Sequence, residues 1–322
     1  DEPSQAGAEA TIQAELRASL KQAVSRRLIA DVPLGAFLSG GIDSSAVVAM
    51  MRELEADPLL TCSIGFKESR YDESRYADMV ARAKKTDHKT EIVEASDYGL
   101  LDKLVSLYDE PYADSSAIPT YRVCELARKY VTVALSGDGG DENYIGYRRY
   151  RLFNMEERLR SLVPGGIRRP LFGFLGRAYP KMDWAPRVFR GKTTFQALGR
   201  DSADAYLHGV SIFPAEGRDR LFSAAFKSEL QGYRSSEVFE RHLDGKRFED
   251  PLRMVQYLDF KTYLPGDILT KVDRASMAHS LEVRVPFLDH EFDGWTASLP
   301  TAMKLNGGSG KDVLKKALEP LL

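Results

Sequence analysis

At 322 residues, 43 % hydrophobic and 29 % charged, the chain has a globular composition and enough length for one large core or two smaller ones. Cys62 and Cys124 alone make neither a disulfide framework nor a metal set, and no apolar run nears the roughly 18 residues that span a bilayer. The formal charge of −2 argues against a general nucleic-acid binder, yet residues 148–192 hold 12 Lys/Arg against 3 Asp/Glu, a net +9 that leaves −11 elsewhere.

Ile12, Leu16, Leu20, Val24 and Leu28 recur every fourth residue and predict a helix over 8–28. Pro33 opens a short strand over 34–38, since a missing N–H does little harm at a strand's first residue. Leu38 then runs into Ser39-Gly40-Gly41-Ile42-Asp43-Ser44 and a helical pattern over 44–54. Strand, glycine turn and helix together form a phosphate cradle. Glycine admits close backbone approach, and the helix N-terminus offers free N–H groups and a positive dipole end. Ser39 and Ser44 add hydroxyls. Asp43 would repel phosphate unless a divalent cation lies between, so the loop implies Mg2+ beside a nucleotide. The loop is neither a Walker loop nor a dinucleotide fingerprint.

A strand over 60–66 follows, then a helix opened by Tyr71-Asp72-Glu73, a strand over 90–93, a helix over 95–108, and a helix over 118–130 feeding a strand over 131–135. This alternation predicts an α/β fold, a parallel twisted sheet with helices on both faces, with ligands beyond the carboxyl ends of its strands. The last strand ends in Ser136-Gly137-Asp138-Gly139-Gly140-Asp141-Glu142, a second glycine turn rich in acids. Asp43 and Asp141 are thereby expected to hold one Mg2+–pyrophosphate between two loops. From Arg151 onward the spacing is helical and shows no clear strand, so a mostly helical C-terminal half is expected. His88, His208, His242, His279 and His290 show no metal spacing.

A third stretch, Leu264 to Met277, carries Lys271 and leads to Leu281-Glu282-Val283-Arg284-Val285-Pro286-Phe287-Leu288-Asp289. With the two loops, with Ser63-Ile64-Gly65-Phe66 and with Asp109-Glu110-Pro111, it resembles the synthetase domain of the glutamine-hydrolysing asparagine synthetase family. The first loop is similar to the PP-loop of ATP pyrophosphatases. The resemblance implies an adenine-nucleotide α-hydrolase-like core over 11–150, a helical part of the same domain over 151–322, and a linker over 1–10 from an N-terminal glutaminase domain. A chain opening on Asp1 reads as a piece of such a longer protein.

The resemblance further implies ATP at Leu38, Ser39, Gly40, Gly41, Asp43 and Ser44, with the backbones of Ile64 and Gly137 at adenine and ribose. It implies Mg2+ at Asp43 and Asp141, Lys271 near the phosphates, and Asp138 or Glu142 as proton acceptor. Glu282, Arg284 and Asp289 are expected to be structural. The implied reaction adenylates a carboxylate with release of pyrophosphate, and ammonia then displaces AMP to give the amide. A reduced, cytoplasmic setting fits, with no nucleic acid and no membrane span, and a homodimer is one compatible assembly.

The acceptor is open between aspartate and a sugar carboxylate. Asp138 stands where aspartate enzymes often have Glu, and no arginine lies between Asp109 and Tyr121. Nor does the sequence given reach the lysine-bearing loop that the family usually has after a segment like 311–322. Tyr179-Pro180-Lys181 and Asp183-Trp184-Ala185-Pro186 resemble amidotransferases tied to exopolysaccharide and exosortase systems. Intramolecular closure, as in β-lactam synthetases, and nucleic-acid modification are the remaining alternatives.

Overall fold

The structure, a computed structural model, describes residues 5–54, 59–68, 70, 72–93, 98–180, 182, 184, 186 and 191–322. Tyr71, Lys181, Asp183, Ala185, the first four residues of the expected linker and the first turn of the helix expected from 95 lie outside them.

The chain forms two compact units, one of Asp1–Gly146 with Thr262–Leu322 and one of Tyr147–Lys261. In the first unit, α1 (Gln5–Arg27) precedes β1 (Leu34–Phe37), α2 (Ile42–Glu53), β2 (Leu60–Phe66), α3 (Ser74–Lys84) and β3 (Asp87–Val93). Then come α4 (Leu101–Tyr108), α5 (Ala117–Arg128), β4 (Val133–Leu135) and the single turn α6 (Gly140–Asn143). The second unit is helical: α7 (Arg148–Leu162), α8 (Gly165–Ala178), α9 (Lys192–Leu198), α10 (Ser202–Val210), α11 (Ala215–Leu221), α12 (Ala224–Glu229), α13 (Ser236–Leu243) and α14 (Pro251–Lys261). Back in the first unit, a π-type turn (Leu264–Leu269) runs into α15 (Thr270–Met277). There follow β5 (Glu282–Arg284), α16 (His290–Ser298), α17 (Thr301–Lys304), β6 (Leu305–Asn306), β7 (Ser309–Gly310) and α18 (Asp312–Leu318).

The main sheet has the order β3-β2-β1-β4-β5, all parallel, with Gly35 opposite both Leu60 and Ala134. Its two faces bury separate clusters. Ala36, Leu38 and Leu135 pack with Leu16, Leu20 and Val24 of α1, Val47, Val48, Met50 and Met51 of α2, and Val313, Leu314 and Leu318 of α18. Cys62 and Ala134 face the other way, onto Leu104, Tyr108, Tyr121, Cys124, Ala275 and Leu281. Alternating side chains thus feed two helical layers, the α/β arrangement expected from the sequence. Burial pushes the thiols of Cys62 and Cys124 up to about 11 and about 12, as expected of inert core cysteines.

The expectation of no strand after Arg151 is corrected by β5 and by the β6–β7 hairpin. Three residues are too few to show a period of two, so β5 is invisible to pattern. The hairpin does carry a signal: Gly307 and Gly308 both have positive φ, 54° and 81°, as a tight turn needs at both central positions.

In the second unit the basic band is partly internal. Buried Asp259 accepts from Arg149 at 2.8 Å, Tyr150 at 2.5 Å and Tyr206 at 2.6 Å. Arg160 and Arg168 are also buried and donate to backbone carbonyls, of Ala197 at 3.0 Å and of Arg200 at 2.8 Å. These guanidiniums meet carbonyls that would otherwise be costly to bury.

Candidate active site

In this sheet β1 is flanked by β2 on one side and β4 on the other, so the winding reverses beside β1. The crevice at such a switch point, at the strands' carboxyl ends, is where open α/β sheets bind ligands. The loop after β1, the loop after β4 and Ile64 near the end of β2 all open there.

The first loop is held open. Gly40 has φ +78°, and a Cβ on it would lie 2.5 Å from the Tyr76 and Ala77 backbone. Only glycine fits, because α3 packs against the turn. Ser44 Oγ sits 3.1 Å from Ser39 Oγ and donates to the Gly41 carbonyl at 3.2 Å, while Gly41 N–H donates to Ser39 Oγ at 3.2 Å. No side chain caps α2, which leaves a free 12-residue helix N-terminus facing the crevice.

The second loop touches the first. A Cβ on Gly137 would lie 2.7 Å from Ser44 N, and one on Gly140 would lie 2.6 Å from the Asp43 carboxyl carbon. Gly139, at φ +84°, makes room for Leu288. Ser136 N–H donates to the Arg284 carbonyl at 2.9 Å, and Asn143 Nδ2 donates to the Phe287 carbonyl at 2.8 Å. The stretch from β5 to Leu288 thus buttresses the second loop. Asp289 caps α16 through Glu291 and Phe292 and pairs with Arg26 and Arg27, while Arg284 donates to the carbonyls of Arg27 and Ile29.

Asp43 and Asp141 converge on one ammonium, that of Lys311, which bonds Asp43 and lies 2.8 Å from Asp141 Oδ1. Lys311 follows β7, has φ +60°, and donates its own N–H to the Tyr144 carbonyl at 2.8 Å. A residue held in the left-handed region marks a position fixed by its surroundings. Burial would lower the Lys311 pKa, but the two carboxylates more than offset that and raise it. Burial pushes the Asp43 carboxyl up to about 6, with Asp141 adding to the rise and Lys311 opposing it. Asp43 Oδ1 is buried and has no hydrogen-bond partner.

Two carboxylates with one orphaned oxygen fit a divalent cation that keeps waters and phosphate oxygens as its other ligands. No cluster of three or more His, Cys, Asp or Glu suited to a metal occurs among the described residues.

Lys271 lies elsewhere. Its ammonium donates at 2.7 Å to both Asp114 Oδ2 and Ser116 Oγ. The same wall is tied by Tyr112 to Asp267 and by Arg274 to Asp109. Asp138 accepts from the Ser136 hydroxyl at 2.5 Å. Desolvation pushes its carboxyl up, while that hydroxyl and the Lys271 charge only partly offset the rise. Glu142 is almost fully buried, whereas Asp138 is partly exposed.

The family profile described as asparagine synthase matches residues 15–322. The chain belongs to that family. It is 33 % identical over 309 residues to asparagine synthetase (glutamine-hydrolysing) 1 of Bacillus subtilis, covering 96 % of this chain and 47 % of the relative. Asparagine synthetase (glutamine-hydrolysing) 3 of the same organism is 27 % identical over 325 residues, with 96 % and 46 % covered. A Gibberella zeae protein named amidase chry2 is 24 % identical over 343 residues, with 95 % and 50 % covered. The chain spans about half the length of the curated relatives it matches. It is an asparagine-synthetase-like, ATP-dependent synthetase domain.

Sequence reasoning named both loops and both aspartates of this asparagine synthase domain, and the structure brings them together. It also named Lys271, whose ammonium the structure pairs with Asp114 and Ser116. It missed Lys311, whose only local sign is the Gly307-Gly308 turn that aims the residue after β7.

Proposed function

We propose that this domain forms an amide from a carboxylate, ATP and ammonia, within a glutamine-dependent amidotransferase whose partner glutaminase domain supplies the ammonia. The observation that carries the reading is the convergence of Asp43 and Asp141 beside the uncapped α2 N-terminus. The free N–H groups of α2, with Ser39, Gly40, Gly41 and Ser44, bind the ATP phosphates. The backbones of Leu38, Ile64 and Gly137 line the nucleoside. Mg2+ held by Asp43 and Asp141 would neutralise charge on the pyrophosphate as it leaves.

The chemistry needs few reacting groups from the protein. A carboxylate is a poor acceptor for amine attack, and transfer of AMP to it creates a good leaving group. The protein's work is positioning and charge neutralisation. Lys311, between the two carboxylates, supplies a fixed positive charge on the pyrophosphate side. Lys271, Asp114 and Ser116 form the acceptor side. Asp138, partly exposed and with a carboxyl that desolvation pushes up, is the proton acceptor for the attacking ammonia, and Glu142 is nearly fully buried behind it in the same loop.

Lys271 is matched by Asp114, and residues 109–121 carry no Lys or Arg, so no unpaired positive charge on this stretch awaits a second acceptor carboxylate. That favours a sugar acid bearing one carboxylate over aspartate. A pyrophosphate-release screen with ammonia supplied directly tests both. Stimulation by uronic acids or by aspartate supports amide synthesis and names the acceptor; release unaffected by every carboxylate contradicts the reading.

A further inference from the structure

The outward faces of α7 and α8 are apolar and basic, and the nucleotide site makes no use of them. On α7, Leu152, Met155, Leu159 and Leu162 are exposed, Leu162 by 76 %. Their spacing of three, four and three sets them on one helix face. The opposite face buries Tyr150, Phe153 and Arg160. On α8, Ile167, Leu171 and Phe174 are exposed at spacings of four and three, while Arg168 and Gly176 are buried opposite. Trp184, just beyond, is 83 % exposed.

Charge on these faces has one sign. Arg148, Arg151, Arg158, Arg169 and Arg177 are exposed, and among the described residues only Arg169 of these five pairs with a carboxylate, Asp201 at 2.7 Å. The two acids of α7 turn inward: Glu157 pairs with Arg160, and Glu156 interacts with Thr194 and Arg160. No acid occurs in α8.

We propose that α7 and α8 dock the protein on an anionic lipid surface, lying in the interface without crossing it. No helix among the described residues is long and apolar enough to cross a membrane. Exposed Leu, Ile, Phe and Trp flanked by arginine suit the boundary between headgroups and acyl chains. Charge complementarity selects the occupant. A second copy would bring two basic faces together, whereas anionic headgroups neutralise them. Each arginine near such a surface strengthens binding about fivefold.

The test is co-sedimentation of the protein with vesicles of phosphatidylcholine, with and without phosphatidylglycerol. Binding is expected only with phosphatidylglycerol, and it should weaken as salt rises and screening shortens. Leu171→Ser with Phe174→Ser, and separately Arg151→Glu with Arg158→Glu, should each weaken binding at least about tenfold. All four side chains are exposed, and unchanged thermal unfolding verifies the fold; Ile167→Ser substitutes for either apolar change that unfolds. No binding to phosphatidylglycerol vesicles, or binding unaffected by the variants, overturns the proposal. Self-association abolished by the same variants, without vesicle binding, gives the face to a second copy and also overturns it. None of these readouts depends on ATP.

Discussion

Lys311 Nζ lies 2.8 Å from Asp141 Oδ1 and bonds Asp43 with the same ammonium, so a residue from the C-terminal hairpin joins two loops nearly 100 positions apart. Its ammonium thus touches both carboxylates proposed to hold Mg2+.

Removing that ammonium leaves two neighbouring carboxylates, one buried, without a counter-charge. Breaking a buried pair costs about 3–5 kcal/mol, and partial exposure of Asp141 reduces this to about 1–3 kcal/mol. Lys311→Met should therefore unfold more easily in EDTA, and added Mg2+ should recover much of the loss by binding the folded state. Urea unfolding with and without Mg2+ measures this. An equal deficit in both conditions contradicts a shared cation position.

The two glycine loops leave no room where they meet. Gly137→Ala would set a Cβ 2.7 Å from Ser44 N, and Gly140→Ala one 2.6 Å from the Asp43 carboxyl. Each is expected to cost about 1–3 kcal/mol and to weaken nucleotide binding. Gly173→Ala in α8 meets nothing within 4 Å and should stabilise by about 1 kcal/mol. Paired melting curves and nucleotide titrations separate close approach from a general intolerance of substitution.

Lys271 faces Asp114 and Ser116, so Lys271→Met should raise the acceptor KM at least about tenfold while ATP KM moves less than about twofold. A matching rise in both would return Lys271 to the phosphate side.

These placements show what pattern could reveal. The strands ending at Phe37 and Leu135 were legible because apolar runs stopped at glycine turns. The partnership of Asp43 with Asp141 followed from putting both turns at carboxyl ends of parallel strands. Lys311 was not legible, because its place depends on a two-residue hairpin and on a carbonyl, that of Tyr144, far away in sequence. Lys271 was named only through the family resemblance, and its pairing with Asp114 was not legible, since spacing within one helix cannot say what faces it. The arginines of α7 and α8 read as one basic band, and only packing sorts buried Arg149-to-Asp259 contacts from exposed Arg151 and Arg158.

Acid should loosen the buttress behind the second loop. Burial alone would push the Asp289 carboxyl up, but the Phe292 amide and the Arg27 and Arg26 guanidiniums more than offset it and hold it below the ordinary 3.8. The unfolded chain then binds more protons than the folded one in that range. The contribution is complete above pH 3.8 and is lost as pH falls through the lowered value. Urea midpoints from about pH 5 to about pH 2 should fall less steeply in Asp289→Asn, which starts lower. Parallel curves contradict the assignment.

The central claim is that both loops act together on one ATP, cutting it between the α and β phosphates. The most direct measurement quantifies AMP and pyrophosphate made from ATP with Mg2+, ammonia and an accepted carboxylate, for the wild type, Asp43→Asn and Asp141→Asn. Equal amounts of AMP and pyrophosphate from the wild type, with a loss of at least about a hundredfold in each variant, are the expected result. ADP and phosphate as products, or pyrophosphate release undiminished in either variant, would contradict it.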